Sequence, residues 1–227
     1  TVDNRGVIES AGGMAVVADA LGNSGSLHGG AVAHVRVTQG LVNDGGLVSA
    51  AEGLNVVTGA SLSNVSGRIL AGGNLGVQVA GDLSGLGVIA SNGHLQVRAG
   101  GGLELAGGGA ARSAALSAEG GALRVGSPFV AGDGLTLMGQ TGVTSDVLSA
   151  GGGLDIAAGA GNIVTGSLVA LGPVRVAGSG TVTVRGPVVS DGAVTLNAGA
   201  GLGVEGALAL GGDATLLGEL EKGSDER

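Results

Sequence analysis

Hydrophobic and polar residues alternate in short stretches along the chain, and these stretches return about every 20 residues. The clearest are triplets that start with an apolar residue and end with a large aliphatic one. They begin at Met14, Val35, Leu54, Leu75, Leu95, Ala114, Leu135, Leu154, Val174, Val194 and Ala214. Self-similarity at a fixed period of this length is the sequence signature of a solenoid, in which each repeat stacks on the next.

The middle residue of each triplet identifies the secondary structure. It is mostly polar or small, as at Arg36, Asp155 and Arg175, whereas the third residue is always aliphatic, as at Val97 and Val176. In-out-in alternation has a period of two, so each triplet is predicted to be a short β-strand with one buried face. A helical interpretation is disfavoured because each interior glycine would cost about 1 kcal/mol.

Two further aliphatic columns complete the repeat. The second consists of Leu62, Leu83, Leu103, Leu123, Val143, Ile163, Val182 and Leu202, and the third of Val7, Leu47, Ile69, Val88, Val147, Leu168, Val188 and Leu208. Three short strands per repeat, divided by glycine-containing corners, predict an all-β fold: a right-handed parallel β-helix of roughly 10–11 coils. Strands in neighbouring coils pair at about 4.8 Å, which gives a rod on the order of 50 Å long.

One corner of the coil is marked by glycine. Gly126, Gly166, Gly186 and Gly206 recur at multiples of the repeat length. Glycine permits positive φ or close approach of another backbone, so these residues are expected to share a corner. Pro128, Pro173 and Pro187 are expected at strand starts, where a missing N–H donor is tolerated.

Two local departures from the repeat carry expectations of their own. Residues 106–115 replace large aliphatics with glycine and alanine, which predicts the thinnest and weakest coil. Phe129 is expected to fill the space left there, or else to sit at a corner.

Asn23, Asn43 and Asn64 recur at the period of the coil. Their amides could stack and hydrogen-bond between coils, as in cross-β asparagine ladders. The alternative is that they are three independent turn residues that face solvent, and the sequence slightly favours this second interpretation.

Composition leaves the predicted fold unchanged but excludes several classes of protein and partner. The chain has 227 residues, 52 of them glycine, with one Phe and no Trp, Tyr or Cys. The regular aliphatic columns argue against disorder despite the glycine content. Zero cysteine excludes a disulfide framework and a thiolate metal site, and a net charge of −8 makes nucleic acid an unsuitable partner. The apolar runs fall short of the ~18 residues of a membrane span, so none is predicted.

Residues 1–217 are predicted to form a single β-helix segment of a longer rod that stacks on flanking coils of the same chain. Residues 218–227 carry six charges and are expected to be a tail that is frayed or of artificial origin.

The titratable residues do not converge on a metal or catalytic site. His28, His34 and His94 belong to distant coils or different faces, whereas a metal needs three or four convergent ligands. The segment 131–137 (Ala-Gly-Asp-Gly-Leu-Thr-Leu) resembles half of a calcium-binding nonapeptide but occurs once, and such calcium rolls need several in tandem. No catalytic, cofactor-binding or metal-binding residue is predicted, and the chain is not expected to be an enzyme.

Two carboxylate pairs are the strongest catalytic alternative. Asp133 and Asp155, and likewise Asp191 and Asp213, are separated by a little more than one repeat and are expected to be near neighbours at one corner. A polysaccharide-acting β-helical enzyme would need such pairs about 5–10 Å apart. Aromatic platforms for sugar rings are missing and Arg175 is expected beside Asp155, so solvated surface charge is the favoured interpretation. The outward column of Thr136, Thr195 and Thr215, which resembles an ice-binding array, is interrupted by Asp155 and Arg175.

Degenerate glycine-bounded units recur along the chain, for example residues 73–81 (Gly-Asn-Leu-Gly-Val-Gln-Val-Ala-Gly), 93–100 and 192–199. These units resemble the repeat region of filamentous haemagglutinins, the large exoproteins of two-partner secretion systems, and the related contact-dependent toxin stalks. The resemblance covers about residues 6–217. It implies a shaft segment of a secreted or cell-surface bacterial adhesin, with a host-cell glycan or protein receptor as partner.

The chain departs from that family in two motifs. It contains neither the Asn-Pro-Asn motif of the secretion domain nor an Arg-Gly-Asp tripeptide, to which Arg5-Gly6-Val7 comes nearest. The secretion step and an integrin contact are therefore not assigned to this segment. The alternatives are a β-helical polysaccharide-acting enzyme, an autotransporter passenger segment, and an artificial solenoid, which would have more nearly identical repeats.

Overall fold

Each apolar stretch of the sequence forms a strand, and each strand pairs in parallel with the equivalent strand one coil later. The computed structural model describes residues 1–126 and 128–220 and is a parallel β-solenoid of about 11 coils. The described residues contain strands, turns and bends but no helix. Three strands per coil produce three faces, as the sequence predicts.

The first face holds the strands that the triplets predict. They are β3 (Met14–Ala18), β6 (Ala33–Val37), β9 (Leu54–Thr58), β12 (Leu75–Val79), β15 (His94–Ala99), β18 (Ser113–Ala118), β21 (Leu135–Gly139), β24 (Leu154–Ala158), β27 (Val174–Gly178), β30 (Val194–Val204) and β32 (Ala214–Leu220). Strand β30 is long because it continues around a corner onto the second face, where its end pairs with β28.

The second face holds shorter strands. They are β1 (Val2–Asn4), β4 (Leu21–Asn23), β7 (Leu41–Val42), β10 (Leu62–Ser63), β13 (Leu83–Ser84), β16 (Leu103–Leu105), β19 (Leu123–Val125), β22 (Val143–Ser145), β25 (Ile163–Thr165) and β28 (Val182–Val184).

The third face forms a separate sheet of 11 strands. They are β2 (Val7–Ser10), β5 (Ser26–Gly29), β8 (Leu47–Ala50), β11 (Arg68–Ala71), β14 (Val88–Ser91), β17 (Gly109–Ala111), β20 (Phe129–Ala131), β23 (Leu148–Ala150), β26 (Leu168–Ala170), β29 (Val188–Ser190) and β31 (Leu208–Leu210).

The register confirms the first column at every coil but one. Leu54, Leu75 and Leu95 lie opposite one another, and the series continues to Ala214. The prediction for Val35 is wrong by two positions, since Ala33 pairs with both Met14 and Leu54. A shift of two leaves the alternation unchanged, so Val35 and Val37 are buried in either register and the pattern alone could not separate them.

The second predicted column is confirmed throughout, from Leu62 opposite Leu83 to Val182 opposite Leu202. The third is correct at Ile69, Leu168, Val188 and Leu208. It is wrong by one position at the other four predicted residues, which were Val7, Leu47, Val88 and Val147. The inward residues there are Ile8, Val48, Ile89 and Leu148. Each error falls on two adjacent aliphatic residues, where alternation gives no signal.

Inward side chains from all three faces form one core along the axis. Val176 is fully buried, whereas its neighbour Arg175 points to solvent. Phe129 is also fully buried and lies opposite Gly109 of the preceding coil. A Cβ on Gly109 would lie 2.7 Å from Phe129 Cε2, so the ring occupies the space that the glycine leaves. This confirms the first of the two positions expected for Phe129.

The glycine-marked corner depends on close packing of backbone. A Cβ on Gly166 would collide with the carbonyl oxygen of Asp146, and one on Gly206 with that of Gly186. The four glycines occupy two adjacent positions of the corner rather than one, because Thr165 pairs with Val184 and places Gly166 opposite Arg185. The three prolines immediately precede β20, β27 and β29, as expected.

The predicted tail begins within a strand. Residues 218–220 form the end of β32, and residues 221–227 of the tail lie outside the described residues.

Candidate functional site

A chain of asparagine side chains occupies the corner between the second and third faces in the first four coils. Asn4 Nδ2 donates to Asn23 Oδ1 at 2.7 Å, Asn23 Nδ2 to Asn43 Oδ1 at 2.7 Å, and Asn43 Nδ2 to Asn64 Oδ1 at 2.8 Å. All four side chains are buried. Of the two interpretations left open by the sequence, the slightly favoured one, independent solvent-facing residues, is therefore wrong, and the inter-coil ladder is correct.

The first three amides also bind the backbone of the next coil. Asn4 Nδ2 donates to the carbonyl of Ser26 at 3.0 Å, and Asn23 Nδ2 to that of Leu47 at 3.1 Å. Asn43 Nδ2 reaches the carbonyl of Arg68 at 3.3 Å. These carbonyls belong to the first residues of β5, β8 and β11. The ladder thus holds the beginnings of these three strands in place. Sequence reasoning missed Asn4, although it precedes Asn23 by one coil and so carries the same signal.

The ladder ends at Asn64, whose Nδ2 is buried and has no hydrogen-bond partner. The corresponding position in the next coil is Gly85, which has a φ of 144° and carries no side chain that could accept the bond. The corner beside it is also unusual, because Ser66 adopts a positive φ of 54° that glycine occupies in the previous coil at Gly45.

A shallow groove follows the ends of the first-face strands across several coils. One part, of about 590 Å³, is lined by residues that include Arg98, Glu119, Met138 and Gln140. A second part, of about 400 Å³, shares Arg98 and Glu119 and extends to Gln78. The lining mixes one cation, one anion, amides and apolar surface. Sequence reasoning missed this groove because a surface concavity depends on how corners project, which alternation does not report.

Ion pairs lie on the outside of the rod. Arg175 Nη1 is 3.8 Å from Asp155 Oδ1, which confirms the neighbours expected from the sequence. Arg112 Nε donates to Asp133 Oδ2 at 3.1 Å. Both pairs are largely exposed, so each contributes little to stability.

The structure separates one of the two carboxylate pairs that were expected to share a corner. Asp155 lies on β24 opposite Thr136, three positions beyond Asp133 in the preceding coil, so this expectation is wrong. Asp191 and Asp213 do lie in the same corner, between the third and first faces, although Asp213 lies opposite Ala193, two positions beyond Asp191. The offsets arise because the spacing within each pair exceeds the local coil length.

The histidines are also apart. His28 Nδ1 lies 2.9 Å from Ser49 Oγ on the third face, and His94 Nδ1 lies 2.9 Å from Ser113 Oγ on the first face. His34 sits on β6, between Ala15 and Asn55 of the neighbouring coils. Within residues 1–126 and 128–220, no three His, Asp or Glu side chains come together as metal ligands would.

The outward columns of the first and third faces differ in polarity. On the first face, Thr136, Asp155, Arg175 and Thr195 lie in register, as predicted. On the third face, the outward column of the later coils is apolar or small. We call this column the apolar stripe, and it consists of Ala90, Ala110, Val130, Ser149, Val169, Val189 and Ala209.

Comparisons with known proteins found no relative of this chain. The chain matches no protein-family model, no curated protein and no solved structure. A helix suited to crossing a membrane does not occur among the residues that the structure describes.

Proposed function

We propose that this segment is a structural shaft of a secreted or surface-attached bacterial adhesin, a stiff spacer that holds binding regions away from the cell. The observation that supports it most is the uniformity of the coils. In the observed register, the inward first-face residues from Met14 to Ala214 advance by nearly equal lengths of chain at every step, with each coil within one residue of the mean.

The corners support the same function. The connections between described strands run from a single residue, Arg112, to four residues, as at 43–46. Active-site loops in a solenoid enzyme would need longer insertions. A coil that contacts mainly its neighbours can be repeated without changing the rest of the molecule, which suits an element whose role is length.

The resemblance of units such as residues 73–81 to filamentous haemagglutinin repeats supports the bacterial surface as the location. The groove beside Arg98 and Glu119 supports weak contacts with a host-cell glycan or protein receptor along the rod. In this function the segment sets the distance between the cell and the binding regions, and the groove adds only weak affinity for the receptor.

A deletion series in the full-length exoprotein tests the proposal. Removing residues 154–193 deletes two coils and joins Gly153 to Val194, which occupies the same position as Leu154 and Val174. We expect the bacteria to display the protein and to attach to host cells almost as well as wild type.

The matched control removes residues 154–183, which is one and a half coils and joins strands of different faces. It should abolish display. If the two-coil deletion instead abolishes attachment while the protein remains displayed, the segment makes a specific contact and the spacer function is wrong. If antibodies to the wild-type segment do not reach it on intact cells, the proposed location is wrong.

A further inference from the structure

The outward side chains of the third face become less polar along the rod. The outward column that the stripe continues begins with Glu9 and His28 in the first two coils, followed by Ser49 and Leu70. From β14 onward the apolar stripe carries no charge at any of its seven positions. Val130 and Val189 are 47% and 39% exposed, and Val147 and Leu171 beside the stripe are 41% and 65% exposed.

We propose that the apolar stripe is the contact surface of a homodimer, in which two copies of this chain pack face to face and antiparallel.

The area of the stripe matches a weak, reversible dimer. Seven strands spaced by about 4.8 Å and about four residues wide give a surface of about 34 Å by 13 Å, or roughly 440 Å² per copy. That is as large as the largest apolar patch on a typical monomer, and such patches often mark interaction sites. Two copies would bury about 900 Å², at the low end of interfaces that form transiently in solution.

Charge leaves the stripe as the part of the rod on which a second copy can pack. The chain has 18 acidic and 10 basic residues, so two copies repel over most of their surface, whereas the stripe itself carries no charge. Charged residues border the stripe, with Asp146 and Arg185 at one edge and Arg112 and Asp191 at the other. An uncharged centre with a polar rim is the usual anatomy of a protein–protein interface.

The stripe is also complementary to itself under a two-fold rotation. An axis through Ser149 would place Val130 of one copy opposite Val169 of the other, since each lies one coil from Ser149. The same axis would place Ala110 opposite Val189, so that a small residue faces a large one. A two-fold contact of this kind brings one patch onto itself and closes the assembly at two copies.

Sedimentation equilibrium of the chain tests the dimer. At about 100 µM, where an interface with a Kd of about 10 µM would hold about 80% of the chains as dimer, we expect a weight-average mass about 1.8 times the monomer mass of 21.1 kDa. The double variant Val130→Glu/Val189→Glu should sediment as a monomer with an unchanged far-UV circular dichroism spectrum. The matched control is Val17→Glu, a valine of the first face that is 75% exposed, which should remain a dimer. A wild-type monomer at this concentration, or a control that dissociates as fully as the double variant, would overturn the proposal.

Cross-linking tests the geometry without relying on the glutamate variants. The chain has no cysteine, so Ser149→Cys introduces one thiol at the proposed axis. A short bismaleimide cross-linker should join most chains into dimers, because sheets packed face to face lie about 10 Å apart, too far for a direct disulfide. Ser117→Cys, on the first face, should stay mostly unlinked. Equal cross-linking of the two variants, or none at position 149, would show that the stripe is not the interface.

Discussion

The corner between the second and third faces is built in two different ways along the rod. In the first four coils it is filled by Asn4, Asn23, Asn43 and Asn64, whose amides form a continuous hydrogen-bonded chain. In the later coils the same position holds residues that form no such chain. They are Gly85, Leu105, Val125, Ser145, Thr165, Val184 and Val204.

The difference shows what a solenoid interior requires of polar groups. A buried amide is stable where the next coil supplies a partner, and the ladder supplies one at three successive steps. Where the series is interrupted, buried polar atoms lose their partners, which happens at Asn64 Nδ2, Ser145 Oγ and Thr165 Oγ1. Aliphatic stacking has no such requirement of continuity, since leucine or valine packs on any apolar neighbour.

Both kinds of corner depend on the same alternation of inward and outward residues. The largest loss of stability is therefore expected where a polar residue replaces an inward one. Val176→Asp places a carboxylate among fully buried aliphatic residues and should destabilise the fold by about 4–5 kcal/mol or more. Arg175→Asp, one residue away and exposed, should change the free energy of unfolding by less than about 0.5 kcal/mol. Urea denaturation followed by circular dichroism compares the two. Equal losses would contradict the assigned strand faces.

Interrupting the asparagine ladder in its middle should lower the free energy of unfolding nearly as much as Val176→Asp does. Asn43→Leu removes the acceptor of Asn23 Nδ2 and the donor to Asn64 Oδ1, which leaves two buried groups poorly satisfied. The expected loss is about 3–4 kcal/mol. Asn64→Leu, at the end of the ladder, removes an amide that already lacks a partner for its Nδ2 and should cost about 1–2 kcal/mol. If the end variant is the more damaging of the two, the ladder is not a connected unit.

Extending asparagine into the aliphatic corner should also destabilise the rod. Val125→Asn places an amide between Leu105 and Ser145, where neither neighbour continues a ladder. We expect a loss of about 2–3 kcal/mol in the same urea assay, from lost apolar burial and an unsatisfied amide. Val125→Thr is the shape-matched control and should cost less. A neutral Val125→Asn would mean that an isolated amide is tolerated there and that the two corners are interchangeable.

The smallest effect expected is a gain of stability. Thr165→Val replaces a buried hydroxyl without a partner by a methyl group of similar shape, and should stabilise the protein by about 1 kcal/mol. Thr183→Val, next to Val182 in a half-buried outward position, should be close to neutral. A destabilising Thr165→Val would show that the hydroxyl has a partner, such as an ordered water molecule.

Sequence alone predicts the parts of this fold that alternation and period control. The first and second columns follow because an aliphatic residue is flanked by polar or small ones, as at Val174, Arg175 and Val176. The third column fails where two aliphatic residues are adjacent, as at Val147 and Leu148, because either could point inward. Only the register with the neighbouring coil decides between them.

The asparagine ladder and the apolar stripe were less predictable for a different reason. The ladder could be suspected from the spacing of Asn23, Asn43 and Asn64, but whether those amides point inward depends on the corner backbone. The apolar stripe follows only after the third-face register is corrected. Val130 and Val169 fall into one outward column, on either side of Ser149, once Phe129 and Leu148 are fixed as inward residues.

The most direct test of the account is a set of distances along one outward column of the first face. Because the chain has no cysteine, spin labels can be attached at Arg36→Cys in combination with Ser117→Cys, Ala157→Cys or Asn197→Cys, which lie four, six and eight coils away. At about 4.8 Å per coil, pulsed electron paramagnetic resonance should give backbone separations of about 19, 29 and 38 Å with narrow distributions. Distances that do not rise in proportion to the number of coils, or that spread widely, would contradict a stiff rod of equal coils.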